Sequence, residues 1–245
     1  MAENLKREIA QALGQARSIF DDLRDFGVSA LAVAELPAEL PPCPPQMRGM
    51  DRGGSAVCRA ETLEEVRLDL GECQRCPLCR GRKKIVFGVG NPRARLVFVG
   101  EAPGREEDEQ GEPFVGEAGR LLDRILFAMG LDRSQVYICN LEKCRPPGNR
   151  DPLPEEIAAC EPFLKRQLAA IEPELIVTLG RFAAQTLLGE QTPISRLRGS
   201  WRQYQGIPLL PTFHPAFLLR NPTAKREVWE DMKAVLKRLR ESRSD

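Results

Sequence analysis

From about residue 95 onward, short apolar runs alternate with segments whose apolar residues recur at helical spacing. Each run has the length of one strand, and continuous apolar runs are typical of parallel strands that are covered on both faces. The alternation predicts an α/β fold of three layers, αβα, with a central four-stranded, mainly parallel sheet. The predicted strands are residues 95–100, 136–140, 175–180 and 207–213.

The segments between the predicted strands carry the apolar stripe of helices that pack on a sheet. A further helix is predicted from residue 61, because Thr62 and Glu65 have the spacing of a capping box. An acidic stretch after Gly104, a basic stretch at 143–150 and the apolar stretch 214–222 are predicted to be loops. Another helix is predicted to begin after Gly116 and to end at Gly130. Three more are predicted at residues 154–170, 181–188 and 225–240.

The N-terminal part of the chain has a different pattern. Residues 2–26 have apolar positions near helical spacing, which predicts an amphipathic helix. We favour a helix that is solvated or docked on the main domain over one that binds a partner protein, because an apolar stripe alone is weak evidence. Residues 34–60 are rich in proline and glycine and are predicted to be a linker. The chain thus divides into a helical segment (1–33), this linker and one domain (61–245).

The composition narrows the class of protein. Of the 245 residues, 42% are hydrophobic and 29% are charged, which is typical of a soluble globular protein. No apolar run approaches the roughly 20 residues of a membrane span. The acidic residues of the first 26 positions exclude a signal peptide, so we expect a cytoplasmic protein. The net charge of +1 leaves a polyanionic partner open, because a local basic face is enough to bind one.

Polar side chains close three of the four predicted strands. Glu101 follows the first strand, Asn140 ends the second and His214 follows the fourth, while Gly180 ends the third. The carboxyl ends of parallel strands meet at one edge of a sheet, where ligands bind in open α/β folds. Each residue alone has a structural explanation, but together they predict a shared crevice.

Three features of this crevice suit nucleic acid. Asn140 offers a donor and an acceptor side by side, as the edge of a nucleobase requires. Phe114 lies in a loop bounded by glycine and proline, where it is equally well explained as a stacking platform or as a loop anchor. The apolar residues before Arg220 could wedge into a base stack or fold back on the core, and nearby basic residues favour nucleic acid.

Eight cysteines in a chain with no export signal are unlike a disulfide framework. Cys73 and Cys76 are separated by two residues, and Cys144 and Cys160 follow later. Four thiolates suit a 4Fe–4S cluster or a tetrahedral zinc site, and the spacing does not separate the two. Cys79 is a competing ligand. The remaining cysteines are predicted to be packed in a strand (Cys139) or inert in the linker (Cys43 and Cys58).

With these residues assembled, the chain resembles the family 4 uracil-DNA glycosylases, the iron–sulfur branch of their superfamily. The resemblance covers about residues 68–240 and leaves the N-terminal 60 residues outside it. Besides the cysteines it rests on four motifs, which are Gly100-Glu101-Ala102-Pro103-Gly104, Pro113-Phe114-Val115-Gly116, Asn140 ahead of Lys143-Cys144-Arg145-Pro146-Pro147, and His214-Pro215-Ala216-Phe217-Leu218-Leu219-Arg220-Asn221-Pro222.

The resemblance implies a base excision repair enzyme that flips uracil out of DNA, hydrolyses its N-glycosidic bond and leaves an abasic site. Phe114 would stack on the base, Asn140 would read its edge, and backbone near Ala102 and Pro103 would line the pocket. His214 would hydrogen-bond uracil O2. The resemblance also implies a structural 4Fe–4S cluster on Cys73, Cys76, Cys144 and Cys160, and a tip of Leu218, Leu219 and Arg220 that fills the gap in the duplex.

The chemistry of the reaction agrees with these roles. Cleavage places positive charge on the sugar and negative charge on the base, so a donor such as neutral His214 stabilises the leaving group. Glu101 is the candidate to orient water or to offset the sugar cation. The better-known branch of the superfamily has an Asp one position later in this turn, where this chain has Ala102. A direct general-base role for Glu101 is therefore open.

Two alternatives of other classes remain. One is a non-catalytic or covalently trapping uracil-DNA-binding protein, although the extra basic loop of such relatives is not found before His214. The other is a zinc-bearing nucleic-acid-binding module. For the leading interpretation we expect a monomer that acts on double- or single-stranded uracil-containing DNA at the nucleoid, with no membrane partner and with a protein partner for the N-terminal helix left open.

Overall fold

The computed structural model describes residues 2–28 and 61–242, which contain one six-stranded sheet. The strands are β1 (Val89–Gly90), β2 (Leu96–Gly100), β3 (Tyr137–Asn140), β4 (Leu175–Leu179), β5 (Arg202–Tyr204) and β6 (Ile207–Thr212). They lie in the order β1-β3-β2-β4-β6-β5. The four central strands are parallel, and β1 and β5 add antiparallel edges.

The predicted α/β class and the parallel centre of the sheet are confirmed, but the predicted count of four strands was too low. The two additional strands are only two and three residues long, which is too short for an apolar run of their own length to mark them as strands of the sheet. Arg202 and Gln203 of β5 are exposed, as side chains at a sheet edge often are. Edge strands of this kind are formed by pairing with a neighbour rather than by their own sequence pattern.

Helices cover both faces of the sheet. On one face, Leu96 and Phe98 of the sheet belong to a core shared with the helices that follow β2 and end the chain. On the other face, Val97 and Val99 pack with the helices that precede and follow β4. The helices of the described residues are α1 (Ala2–Phe26), α2 (Leu63–Leu70), α3 (Arg105–Gln110), α4 (Glu117–Ala128), α5 (Pro154–Ile171), α6 (Arg181–Leu188), α7 (Ile194–Leu197), α8 (Pro215–Arg220) and α9 (Lys225–Glu241).

Two segments that were predicted to be loops are short helices. The acidic stretch forms α3, whose first-turn carboxylates interact favourably with the helix dipole. The apolar stretch forms α8, which has Pro215 at its first position and His214 as its N-cap. Neither helix exceeds six residues, so neither is long enough to show a helical period. The side chain of His214 caps α8, whereas α3 has no side-chain cap and is held by burial of Glu107 and Asp108.

The helix α2 carries the chain into the cysteine region. Its predicted capping box is present, with the side chains and backbone of Thr62 and Glu65 bonding each other. Val66 and Leu70 are buried against Phe163 of α5. This packing fixes where the chain emerges from α2, immediately before Cys73 and Cys76.

The predicted N-terminal helix is present as α1, and its last turns dock on the domain. Leu23 and Phe26 are buried, whereas Ile9, Leu13 and Phe20 are exposed. The predicted linker at 34–60, with Cys43 and Cys58, lies outside the described residues. None of the helices in the described ranges is long and apolar enough to cross a membrane.

Candidate active site

The predicted polar residues meet at the carboxyl edge of the sheet. The last residue of β2, Gly100, pairs in register with Asn140, the last residue of β3. Gly180 follows β4 and donates its N–H to the carbonyl of Thr212 in β6 at 2.9 Å. Glu101 follows β2 and His214 lies two residues after β6, so they leave the sheet on either side of β4. The parallel register therefore brings these groups to one edge of the sheet, where the fold predicts a ligand crevice.

The floor of this crevice is the backbone of Gly100. A methyl group built there would lie 2.4 Å from Oδ1 of Asn140 and 2.6 Å from Cζ of Phe114, so only glycine fits. Asn140 is buried, and within the described residues its Oδ1 has no hydrogen-bond partner. A buried polar atom without a partner is costly, and a ligand that donates to Oδ1 would satisfy it.

Phe114 is held in an unusual backbone conformation beside His214. Its φ of 55° lies in the left-handed region that aromatic residues rarely adopt. Its ring is stacked near the imidazole, with 5.5 Å between centroids and 29° between planes. The ring is buried in the core as well, so the structure combines the position of a stacking platform with that of a loop anchor.

Two residues outside the predicted site hold the Phe114 loop. Arg133 donates to the carbonyl of Pro113 at 3.0 Å and to the carbonyl of Phe114, and its Nε donates to Asp123 at 2.6 Å. Glu107 accepts from the backbone N–H groups of Val115 and Gly116, each at 2.9 Å. Sequence reasoning missed both, because long-range bonds to a loop backbone leave no local pattern.

The imidazole of His214 is fixed in one tautomer. Its Nδ1 accepts the backbone N–H of Ala216 at 3.1 Å, so in the neutral ring the proton lies on Nε2. Burial, together with the positive charge of Arg220, lowers the pKa of His214 to about 4. The side chain is therefore a neutral Nε2–H donor at physiological pH.

Glu101 lies in the turn between β2 and α3. Burial raises the pKa of its carboxyl to about 7, and the negative charge of Asp151 adds to this effect while Arg181 opposes it. The carboxylate is therefore poised to gain or lose a proton near neutral pH. Its backbone carbonyl accepts the N–H of Glu142 at 2.9 Å, which ties the turn to the segment after β3.

Glu142 is a second buried carboxyl that the sequence did not single out. It is fully buried, and within the described residues neither of its oxygens has a hydrogen-bond partner. Burial raises its pKa to about 8, and the charges of Glu156 and Glu101 contribute. A carboxyl in such surroundings is favoured in its neutral form.

The predicted tip of the DNA contact is only partly at the surface. Leu219 and Arg220 at the end of α8 are exposed, with 39% of Leu219 accessible. Leu218 is fully buried in the core that α4 and α9 share. Leu218 therefore does not fit the predicted wedge and is a packing residue instead.

Four of the five candidate ligand cysteines line one small enclosed pocket, and Cys79 lines a separate open one. The four are Cys73, Cys76, Cys144 and Cys160. Within the described ranges, no three cysteine, histidine or acidic side chains are arranged to hold a single metal ion.

Three of these four sulfurs accept hydrogen bonds from nearby N–H groups. Arg75 donates to the sulfur of Cys73 at 3.6 Å and Arg82 to that of Cys144 at 3.5 Å. The backbone N–H of Lys143 donates to the sulfur of Cys160 at 3.3 Å. Burial raises the pKa of Cys144 to about 12, so the free thiol is protonated and a bound cation must displace its proton. An all-thiol donor set with N–H donors around it fits an iron–sulfur cluster.

Lys143 connects this pocket with the candidate base-binding residue. It lies at the start of the predicted basic loop, and its side chain is fully buried. Its Nζ donates to the backbone carbonyl of Asn140 at 2.6 Å, and its backbone N–H donates to the sulfur of Cys160 in the cysteine pocket. The end of β3 and the cysteine pocket are thus parts of one packed unit.

Comparison with known proteins places the chain in a family. The chain belongs to the uracil DNA glycosylase superfamily, whose family model matches residues 87–233. It is similar to a type-4 uracil-DNA glycosylase of Thermotoga maritima, with 47% identity over 178 residues that cover 71% of this chain and 93% of the relative. A type-4 uracil-DNA glycosylase of Archaeoglobus fulgidus is 45% identical over 183 residues, covering 71% and 92%. A type-5 uracil-DNA glycosylase of Pyrobaculum aerophilum is 30% identical over 167 residues, covering 61% and 72%.

We expect Gly100→Ala to disable the crevice. The added methyl group would displace Asn140 and Phe114 together, so kcat/KM for a uracil-containing oligonucleotide should fall by about a hundredfold. Gly81→Ala is the matched control, because a methyl group at Gly81 would have no atom within 4 Å and the φ there is −111°. Single-turnover kinetics measure both. Activity of Gly100→Ala equal to that of Gly81→Ala would contradict the assignment of the floor.

Proposed function

We propose that this chain is a monofunctional uracil-DNA glycosylase, which hydrolyses the N-glycosidic bond of uracil in DNA and leaves an abasic site for base excision repair. Family membership supports the class of reaction. The observation that carries the proposal is the convergence of Asn140, Phe114 and a neutral His214 at the Gly100 floor. These groups together suit a flat, neutral base with adjacent donor and acceptor atoms.

Asn140 and Phe114 would recognise the base. A uracil flipped out of the stack would lie against the aromatic ring, as bases do in enzymes that flip them. The Oδ1 of Asn140 would accept the N3–H of the base, and its amide N–H would donate to O4. Backbone of Ala102 and Pro103 would complete the wall beside Glu101. Cytosine has no N–H at position 3 and carries an amino group at position 4, so both contacts would be lost.

His214 would stabilise the departing base. As the glycosidic bond breaks, negative charge develops on uracil O2, and the Nε2–H of a neutral imidazole would donate to it. The tautomer is set in advance by the bond from Ala216 to Nδ1. A donor whose orientation is already fixed needs little reorganisation in the transition state.

Glu101 would act on the sugar side of the reaction. Above its pKa of about 7 it would be a carboxylate that offsets the sugar cation and orients the attacking water. Ala102 replaces the Asp that another branch of the superfamily has at this position. We therefore assign the water to Glu101 or to backbone of the turn rather than to a second acid.

We further propose that Cys73, Cys76, Cys144 and Cys160 hold a 4Fe–4S cluster. The enclosed pocket, the all-thiol donor set and the N–H donors of Arg75 and Arg82 support it. A cluster at this position would supply structural cross-linking, because it would join the end of α2, the segment after β3 and α5. The hydrolysis itself needs no electron transfer.

The exposed end of α8 is proposed as the DNA contact. Leu219 would enter the gap that the flipped nucleotide leaves, and Arg220 would contact phosphate. A single copy of the chain contains every group named here, so we propose a monomer. We propose that it acts on uracil-containing DNA, double or single stranded, and that it does so in the cytoplasm.

The function is tested with an oligonucleotide that carries one uracil. After incubation, alkali should break the strand at the uracil, and the same sequence with thymine should stay intact. Asn140→Ala should lower the rate by about two orders of magnitude. Intact strands after incubation with folded, iron-loaded protein would overturn the proposal. A band shift that survives denaturation would instead favour the covalently trapping alternative.

The pH dependence of kcat/KM should follow the ionisation of the Glu101 carboxyl. Below pH 7 the rate should rise by about tenfold per pH unit as the carboxyl loses its proton, and above pH 7 it should level off. His214 has its pKa near 4, so it should add no inflection above about pH 5.

Two variants distinguish the effect of Glu101 on the pH profile from that of His214. Glu101→Gln should be slower and should show a flat profile. His214→Gln should also be slower but should keep the inflection near pH 7. An unchanged inflection in Glu101→Gln would show that another group titrates.

The ligand set is tested by two substitutions. Cys144→Ser should lose iron and visible colour, because Cys144 lines the enclosed pocket. Cys79→Ser is the matched control and should keep both, because Cys79 lines the separate open pocket. Iron and sulfide analysis of the purified proteins gives the result. A colourless wild-type protein with stoichiometric zinc would contradict the cluster.

A further inference from the structure

The helix α1 is joined to the domain by a partly buried ion network. Nζ of Lys225 lies 2.7 Å from Oδ1 of Asp22 and 2.9 Å from Oδ2 of Asp25. Oδ2 of Asp22 also lies 2.5 Å from Nε of Arg124 in α4. The side chains of Lys225 and Asp22 are only 8% and 13% exposed. Charge pairs at this depth are costly to break, because each charge left behind has lost its water.

Apolar packing reinforces the same junction. Phe26 is 2% exposed, and its ring centroid lies 6.5 Å from that of Trp229 in α9. Phe26 belongs to the core that also contains Leu218 and Ala224. The last turns of α1 are therefore an integral part of the domain, although residues 2–28 precede the span that the family model matches.

The residues that receive α1 flank the proposed DNA contact. Lys225 begins α9 after a single 3₁₀ turn, Pro222–Ala224, that follows α8. Arg124 lies on α4, and α4 packs directly against α8. Leu218 anchors α8 in the shared core, and its neighbours Leu219 and Arg220 are left at the surface. Arg124 and Lys225 thus lie on elements that pack against α8 directly or through the 3₁₀ turn that follows it.

We propose that α1 positions the DNA-contacting end of α8, with Asp22 and Asp25 acting through Lys225 as positioning residues. The inference rests on the proposed function, because it assumes that Leu219 and Arg220 enter a duplex. In a duplex, a firmly held wedge fills the gap that the flipped base leaves. A single strand has no such gap. The network should therefore matter for excision from duplex DNA and matter little for excision from single strands.

The test compares the double variant Asp22→Asn/Asp25→Asn with wild type on both substrates. We expect kcat/KM for the duplex to fall by about tenfold and that for the single strand to stay within about twofold. Asp21→Asn is the matched control, because Asp21 lies on the same helix and pairs at the surface with Arg24. It should leave both values unchanged. In a Leu219→Ala background the double variant should cause no further loss on the duplex.

Each outcome decides the question. Equal losses on the two substrates would show that α1 only stabilises the fold, and unchanged values would show that it has no role in excision. Either result overturns the inference. If the double variant is poorly folded by circular dichroism, Asp25→Asn alone keeps the Asp22 pairs and should still lower duplex activity by about threefold. A wild-type protein that is inactive on both substrates would refute the proposed function instead.

Discussion

The close approach of Asn140 and Phe114 to the backbone of Gly100 is the constraint on which the site depends. The parallel register of β2 and β3 sets Gly100 opposite Asn140, and the left-handed conformation of Phe114 brings its ring to the same point. Glu107 and Arg133 hold the loop that makes this possible. The positions of Asn140 and Phe114 thus depend on the strand register and on the hydrogen bonds that hold the loop. Glu101 and His214 lie at the same edge of the sheet.

Burial then determines the chemistry of the two titratable groups. The same low-polarity surroundings that lower the pKa of His214 raise that of Glu101. The folded-state pKa of Glu101 lies above its ordinary value, so its contribution to folding is most favourable at low pH and is lost as the pH rises to about 7. The site therefore weakens the fold under the conditions in which the carboxylate is available. Such conflicts are common at active sites.

The sequence predicted the elements whose signal is local. The four central strands, the capping box at Thr62 and the helix α1 all follow from apolar spacing or from a short-range motif. What it missed has no pattern of its own along the chain. The helix α8 is too short to show a helical period, Lys143 is buried although it is charged, and Arg133 bonds to loop backbone 20 residues away. For the same reason the candidate site could be predicted as a set of strand ends, while the residues that hold it together could not.

The position of His214 at the start of α8 has a consequence for the evolution of the protein. Asn, Asp, Ser and Thr are the side chains that cap helices best, and His is not one of them. A chain selected only for stability would gain by placing one of those residues at 214. Under the proposed function, the histidine is a compromise in which one residue begins a helix and offers its other nitrogen to the base. A descendant that lost the activity would be free to improve the cap, and its fold would show no trace of the loss.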